Sequence, residues 1–129
     1  MKKCYLLDTD ILIDCLRGNP KALSFIEKAT VRTCYISSIS VAELYAGVRE
    51  GRERELLAQF LTAFETVDIS PQVAQIGGLY RRDYHKSHQV GLADALIAAS
   101  AAACKAELAT LNQKHYPMIE HVHVPYAKH

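Results

Sequence analysis

Cys4-Tyr5-Leu6-Leu7-Asp8-Thr9-Asp10-Ile11-Leu12-Ile13-Asp14-Cys15 is the stretch on which the fold turns. Four apolar residues run straight into an acid, which is the length and pattern of a buried central strand. Thr9 or Asp10 then offers a side-chain oxygen for a helix N-terminus. The helix itself shows a one-sided apolar set in Ile11, Leu12 and Cys15. A strand passing directly into a helix is half of a crossover unit and predicts an α/β chain. In such sheets ligands sit at the carboxyl ends of the strands, and Asp8 occupies that position.

Outward from this stretch the alternation continues. Gly18-Asn19-Pro20 ends the first helix, and Pro20 opens a second to about Lys28. Residues 33–36 read as a strand, and Ser38 or Ser40 can cap the helix carrying Val41, Leu44, Tyr45 and Val48. A charged interval, 49–55, precedes another one-faced helix with Leu56, Leu57, Phe60, Leu61 and Phe64. A short strand over 67–69 leads to a helix from Ser70-Pro71 to about His85, then a loop over 88–91. Residues 92–108 are alanine-rich and helical, with small side chains suited to close packing. Strands are expected over 107–110 and 119–124.

The 129 residues suit one domain over 1–129, and an apolar fraction of 50% supports a core without disulfides. Fifteen Lys and Arg against fourteen Asp and Glu give a net charge of +1, so a nucleic-acid partner would need a local patch. The apolar run after Lys2-Lys3 meets Asp8 too soon for a signal-peptide core. No stretch approaches the roughly 18 apolar residues of a membrane span. The expectation is a cytoplasmic protein with no membrane partner. Cys4, Cys15, Cys34 and Cys104 form no C-x-x-C pair and read as packed, reduced thiols.

Three acids occupy similar contexts. Asp8 follows the first strand. Glu43 lies among Val41, Ala42 and Leu44, and Asp94 among Leu92, Ala93, Ala95, Leu96 and Ile97, each in the first turns of a helix. An acid in such a run is costly unless paired, hydrogen-bonded or bound to metal. A shared cluster would raise the carboxyls' pKa values by mutual repulsion, and a divalent cation would remove that conflict. Oxygen ligands without a Cys or His pattern favour Mg²⁺ or Mn²⁺ over Zn²⁺. The plainer alternative is that each acid only complements a helix dipole, Glu43 and Asp94 lying three residues after Ser40 and Gly91.

Four segments in order carry a family resemblance: Tyr5 to Asp14; Ile39-Ser-Val-Ala-Glu43-Leu-Tyr-Ala-Gly47; Leu92-Ala-Asp94-Ala-Leu-Ile-Ala-Ala99; and Thr110-Leu-Asn112-Gln-Lys-His115-Tyr116. Over about residues 3–125 the chain resembles the PIN-domain family and, within it, the VapC-like toxins of type II toxin–antitoxin pairs. The resemblance implies a three-layer α/β/α sandwich around a short, mostly parallel sheet. It implies a metal-dependent endoribonuclease with Asp8, Glu43 and Asp94 as ligands to Mg²⁺ or Mn²⁺ and Asn112 beside them. Many members carry a fourth aspartate where this chain offers Asn112 and His115. Asp10 stands where the family often has Asn and adds charge near Asp8. Thr9 and Thr110 could bring hydroxyls to the same place, though Thr110 serves equally as a turn cap.

The resemblance further implies RNA cleavage leaving 5′-phosphate and 3′-hydroxyl ends, a homodimer and a cognate antitoxin. The apolar helix pair around 44–64 could receive a partner helix or simply fold onto the core. Arg81, Arg82, His85, Lys86 and His88 form the densest basic stretch, available to phosphates or as an ordinary solvated helix face. Lys114 and His115 make a second patch. Tyr80 or Tyr84 could stack on a base. His121 and His123 could share one face of a strand, without a third metal ligand in view. The competing functions are a DNA nuclease using the same acids and a catalytically weak scaffold that binds RNA or protein.

Overall fold

The computed structural model describes residues 4–29 and 33–127. Four parallel strands form the centre: β1 (Tyr5–Leu7), β2 (Cys34–Ser37), β3 (Glu65–Val67) and β4 (Glu107–Ala109), in the order β3-β2-β1-β4. Helices α1 (Thr9–Leu16) and α2 (Pro20–Ala29) join β1 to β2. Helices α3 (Ser38–Ala46) and α4 (Arg52–Leu61) join β2 to β3, and α5 (Pro71–His88) and α6 (Leu92–Cys104) join β3 to β4. The chain steps from β1 outward through β2 to β3, then returns to place β4 on the other side of β1. The reversal lies between β1 and β4, so a crevice is expected outside their carboxyl ends.

Alternation along β1 sorts the layers. Tyr5 and Leu7 enter one core with Ile11, Leu12, Ala22, Leu44 and Leu57, while Leu6 enters the other with Ile97, Ala98, Ala101 and Tyr116. These two cores make the α/β/α sandwich. On the second face α5 packs closely on α6 because Gly77 lies against Leu96: a Cβ there would sit 2.6 Å from the leucine Cδ2 and 3.3 Å from its Cα. Cys4, Cys15, Cys34 and Cys104 are free thiols, buried or half-buried. Among the described residues no helix is long and apolar enough to cross a membrane.

Several boundaries differ from expectation. Asp8, not Thr9 or Asp10, caps α1, its side chain accepting from the Thr9 N–H. Ser37, not Ser38 or Ser40, caps α3. Helix α4 starts inside the charged interval because Glu53 and Glu55 suit its first turn. Helix α5 extends to His88, closed by Gln89 in the left-handed region. Strand β3 lies two residues earlier than the apolar run suggested, and as a sheet edge it carries exposed Glu65 and Thr66. No strand forms over 119–124; there His123 alone bridges to Ala109.

Candidate active site

Asp8 follows the carboxyl end of β1, 5% exposed, with its backbone N–H bonded to the Ala109 carbonyl of β4. Oδ1 accepts the Thr9 N–H at 2.7 Å. Oδ2 accepts two hydroxyls, Thr110 at 2.7 Å and Tyr116 at 2.8 Å. Burial, then the negative charge of Asp10, pushes the Asp8 carboxyl up to about 7, against the pull of those three donors. Thr110 fills both of its expected roles: its oxygen also accepts the Asn112 N–H and so shapes the turn after β4.

Asp94 enters from the first turn of α6. Its Oδ1 is 3.4 Å from the Tyr116 hydroxyl, and its Oδ2 is 3.2 Å from His115 Nδ1. One phenol therefore stands between Asp8 and Asp94. Asp10 sits a residue pair further round α1. Its Oδ2 accepts the Leu111 N–H at 3.0 Å and the Asn112 side-chain amide at 2.9 Å. That amide points its nitrogen at Asp10, which leaves its carbonyl oxygen as the side-chain acceptor Asn112 has to offer.

Glu43 reaches the group from α3. The Thr9 hydroxyl is 2.8 Å from Glu43 Oε1 and 2.8 Å from the Ser40 hydroxyl. A carboxylate only accepts, so the single Thr9 proton serves Glu43 and Ser40 supplies the other. The buried Ser40 thus braces a threonine that braces an exposed glutamate. Asp8, Thr9, Asp10, Glu43, Asp94, Thr110, Asn112 and His115 are all tied into this network. The donor set is oxygen, as a hard cation requires. Among the described residues, however, no three His, Cys, Asp or Glu side chains close into a metal cage.

The basic stretch ends α5, and the short link at 89–91 carries the chain from there to the start of α6 and Asp94. Among the described residues, the hydrogen bonds and ion pairs of this stretch run to its own neighbours. Arg82 pairs with Asp83 at 2.9 Å, His88 bonds Ser87 at 2.7 Å and meets the Tyr84 ring, and His85 Nδ1 is 3.3 Å from the Val90 carbonyl. Arg81 is half-buried, its Nε without a hydrogen-bond partner. Lys114 and His115 border a concavity beside Asn112. Tyr80 is half-buried and packs against the second core. His121 and His123 part company: His121 lines a crevice with Tyr80 and Ala98, whereas His123 stacks on Tyr5 and Phe25 across the sheet.

Tyr116 was not singled out from the sequence, nor was Ser40 as more than a cap. Their signal is faint. Tyr116 closes the fourth segment, and only its reach from the second core to both acids gives it meaning. Asp14 resembles the site acids in sequence but is buried away from them, accepting from the Tyr126 hydroxyl at 2.8 Å.

A family model described as PIN domain matches residues 5–118. The chain is 38% identical over 124 residues to "Ribonuclease VapC10" of Mycobacterium tuberculosis H37Rv, covering 95% of this chain and 92% of that one. Its fold matches the solved "Toxin-antitoxin complex from Klebsiella pneumoniae" with TM-score 0.83 and 29% identity, over 96% of this chain and 99% of that one. VapBC2 from Rickettsia felis, solved bound to a DNA fragment from its promoter, matches with TM-score 0.74 and 28% identity, over 93% and 96% of the two chains.

Proposed function

The chain belongs to the PIN-domain family, among its VapC-like toxins, and on that premise we propose that it is a divalent-metal-dependent endoribonuclease, the toxin of a toxin–antitoxin pair. The observation that carries this reading is the meeting of Asp8 and Asp94 on one hydroxyl at the carboxyl ends of β1 and β4. Residues 1–129 form a single PIN-like domain in this reading.

Asp8, Asp94 and Glu43 would hold Mg²⁺ or Mn²⁺, with the side-chain carbonyl of Asn112 beside them. When bound, such a cation lowers the pKa of water and steadies charge on a phosphodiester oxygen. The chain's own groups do the rest. Asp94 or Glu43 takes the proton of the attacking water. Thr9 and Ser40 hold Glu43 in reach of it, and His115 steadies Asp94 from the solvent side. Asp10 fixes Asn112 and the turn that carries Lys114 and His115, which are available to RNA phosphates. Arg81, Arg82, His85, Lys86 and His88 offer a second phosphate track at the adjoining helix end. Attack by water forms a phosphorus–oxygen bond and breaks the bond to the 3′ oxygen, which takes a proton from solvent water and leaves as a 3′-hydroxyl, with a 5′-phosphate on the other product. Asn112, which brings no charge where an acid would stand, favours the second reading of a weakly active scaffold.

A cognate antitoxin is the protein partner. In the region of 44–64, Leu44, Leu57 and Phe64 are buried in the core, so most of that apolar surface is spent on folding. Tyr45 and Leu56 remain exposed, and Tyr45 borders a concavity with Arg54, Glu55 and Ala58. This is where an antitoxin helix would sit. The solved relatives as complexes support the partner; a homodimer is proposed with it.

The test is cleavage of labelled total RNA by antitoxin-free protein with Mg²⁺ or Mn²⁺ and with EDTA, beside Asp8→Asn and Asp94→Asn. Discrete cuts that need metal and vanish in both variants are expected. Folded protein that binds metal and cuts nothing in a broad RNA pool would leave the scaffold reading standing.

A further inference from the structure

The two oxygens of Asp8 are unequally engaged. Oδ2 accepts from both Thr110 and Tyr116, which occupies its two lone-pair directions. Oδ1 accepts only the Thr9 N–H and keeps one direction open. The Tyr116 ring is 1% exposed, locked in the second core, so its hydroxyl cannot turn to water and release Oδ2. The same oxygen stands 3.4 Å from Asp94, which keeps the two carboxylates from closing on each other.

We propose that Tyr116 is a positioning residue that restricts Asp8 to a single ligand oxygen and thereby selects Mg²⁺ over Ca²⁺. This rests on the reading of Asp8 as a ligand to a divalent cation. Mg²⁺ demands near-octahedral geometry and usually engages one or two carboxylates with its waters retained, whereas Ca²⁺ takes six to eight oxygens and readily binds carboxylates through both. A carboxylate closed on one side therefore costs Mg²⁺ little and denies Ca²⁺ a second oxygen. Removing the phenol hydroxyl opens Oδ2 without removing any ligand.

The experiment is Mn²⁺ binding to antitoxin-free protein followed by electron paramagnetic resonance, with Mg²⁺ and Ca²⁺ as separate competitors, for wild type and Tyr116→Phe. The ratio of the two competition constants should move toward Ca²⁺ by about tenfold or more, the scale on which outer partners of a metal ligand act. Thr110→Val removes the other donor to Oδ2 and should move the ratio the same way; it carries the test if Tyr116→Phe does not fold. An unchanged ratio in a folded variant overturns the proposal, as does weakening of both ions by one common factor or a lower melting temperature alone. Wild type that binds no Mn²⁺ overturns it together with the metal reading, whereas wild type that binds Mn²⁺ with a ratio unmoved by either substitution overturns it alone.

Discussion

Asp8 is held where a charge is expensive, and that has a thermodynamic signature. Its carboxyl stays protonated up to about 7 in the fold, against 3.8 ordinarily. Between those values the folded chain binds the extra proton, so the contribution of Asp8 to stability is fully present below about 3.8 and is lost as pH rises toward 7. In EDTA the wild-type melting temperature should therefore decline from pH 4 to 7, and Asp8→Asn should flatten that decline. The two declines should differ by at least roughly 3 °C, since 1 kcal/mol moves the melting temperature by about 4–8 °C in domains of 60–100 residues and by about 2–4 °C at 150–250, and this chain lies between. Mg²⁺ should raise the melting temperature more at pH 7 than at pH 5, because cation and proton compete for one carboxylate. Thermal melts across pH check both. At this scale the acids were legible in the sequence, since an acid inside an apolar run is conspicuous. Of the hydroxyls, Thr9 and Thr110 were legible beside the acids they bond, whereas nothing local distinguishes Ser40 or Tyr116 from any capping serine or core tyrosine until the distant chain arrives.

Elements were legible where a local rule decided them. The break at Gly18-Asn19-Pro20, the Ser70-Pro71 start and the small-residue helix α6 all follow from propensity and capping. Strand β3 and the missing strand over 119–124 did not, because pairing with β2 and β4 chooses the register and the sequence sees no neighbour. The contact of α5 with α6 gives a sharp test, since adjacent glycines differ. Gly77→Ala puts a Cβ against Leu96 and should destabilise by about 1–3 kcal/mol. Gly78 has open space, so Gly78→Ala should stabilise by roughly 0.5–1 kcal/mol through helix propensity. Urea denaturation of both variants reads the two signs. As α6 carries Asp94, the destabilised variant should also lose affinity for Mn²⁺.

On the whole molecule, the proposed antitoxin surface and the folding surface are interleaved around 44–64. Leu56 is 45% exposed, so Leu56→Asp should leave the isolated protein's melting temperature within about 2 °C. It should weaken antitoxin binding about tenfold or more, the loss expected of an apolar anchor. Calorimetric titration with the antitoxin, beside a melt, separates the two. A final consequence concerns time. The bonds that hold Asp8 in place come from residues 102 and 108 positions further along the chain. At ribosomal speeds those partners are made roughly 5–20 s after Asp8 itself. On the proposed function, the nuclease is born blunt: while the chain is still being translated its first acid lacks the hydroxyls that hold it, and the message producing it is spared until synthesis is nearly over.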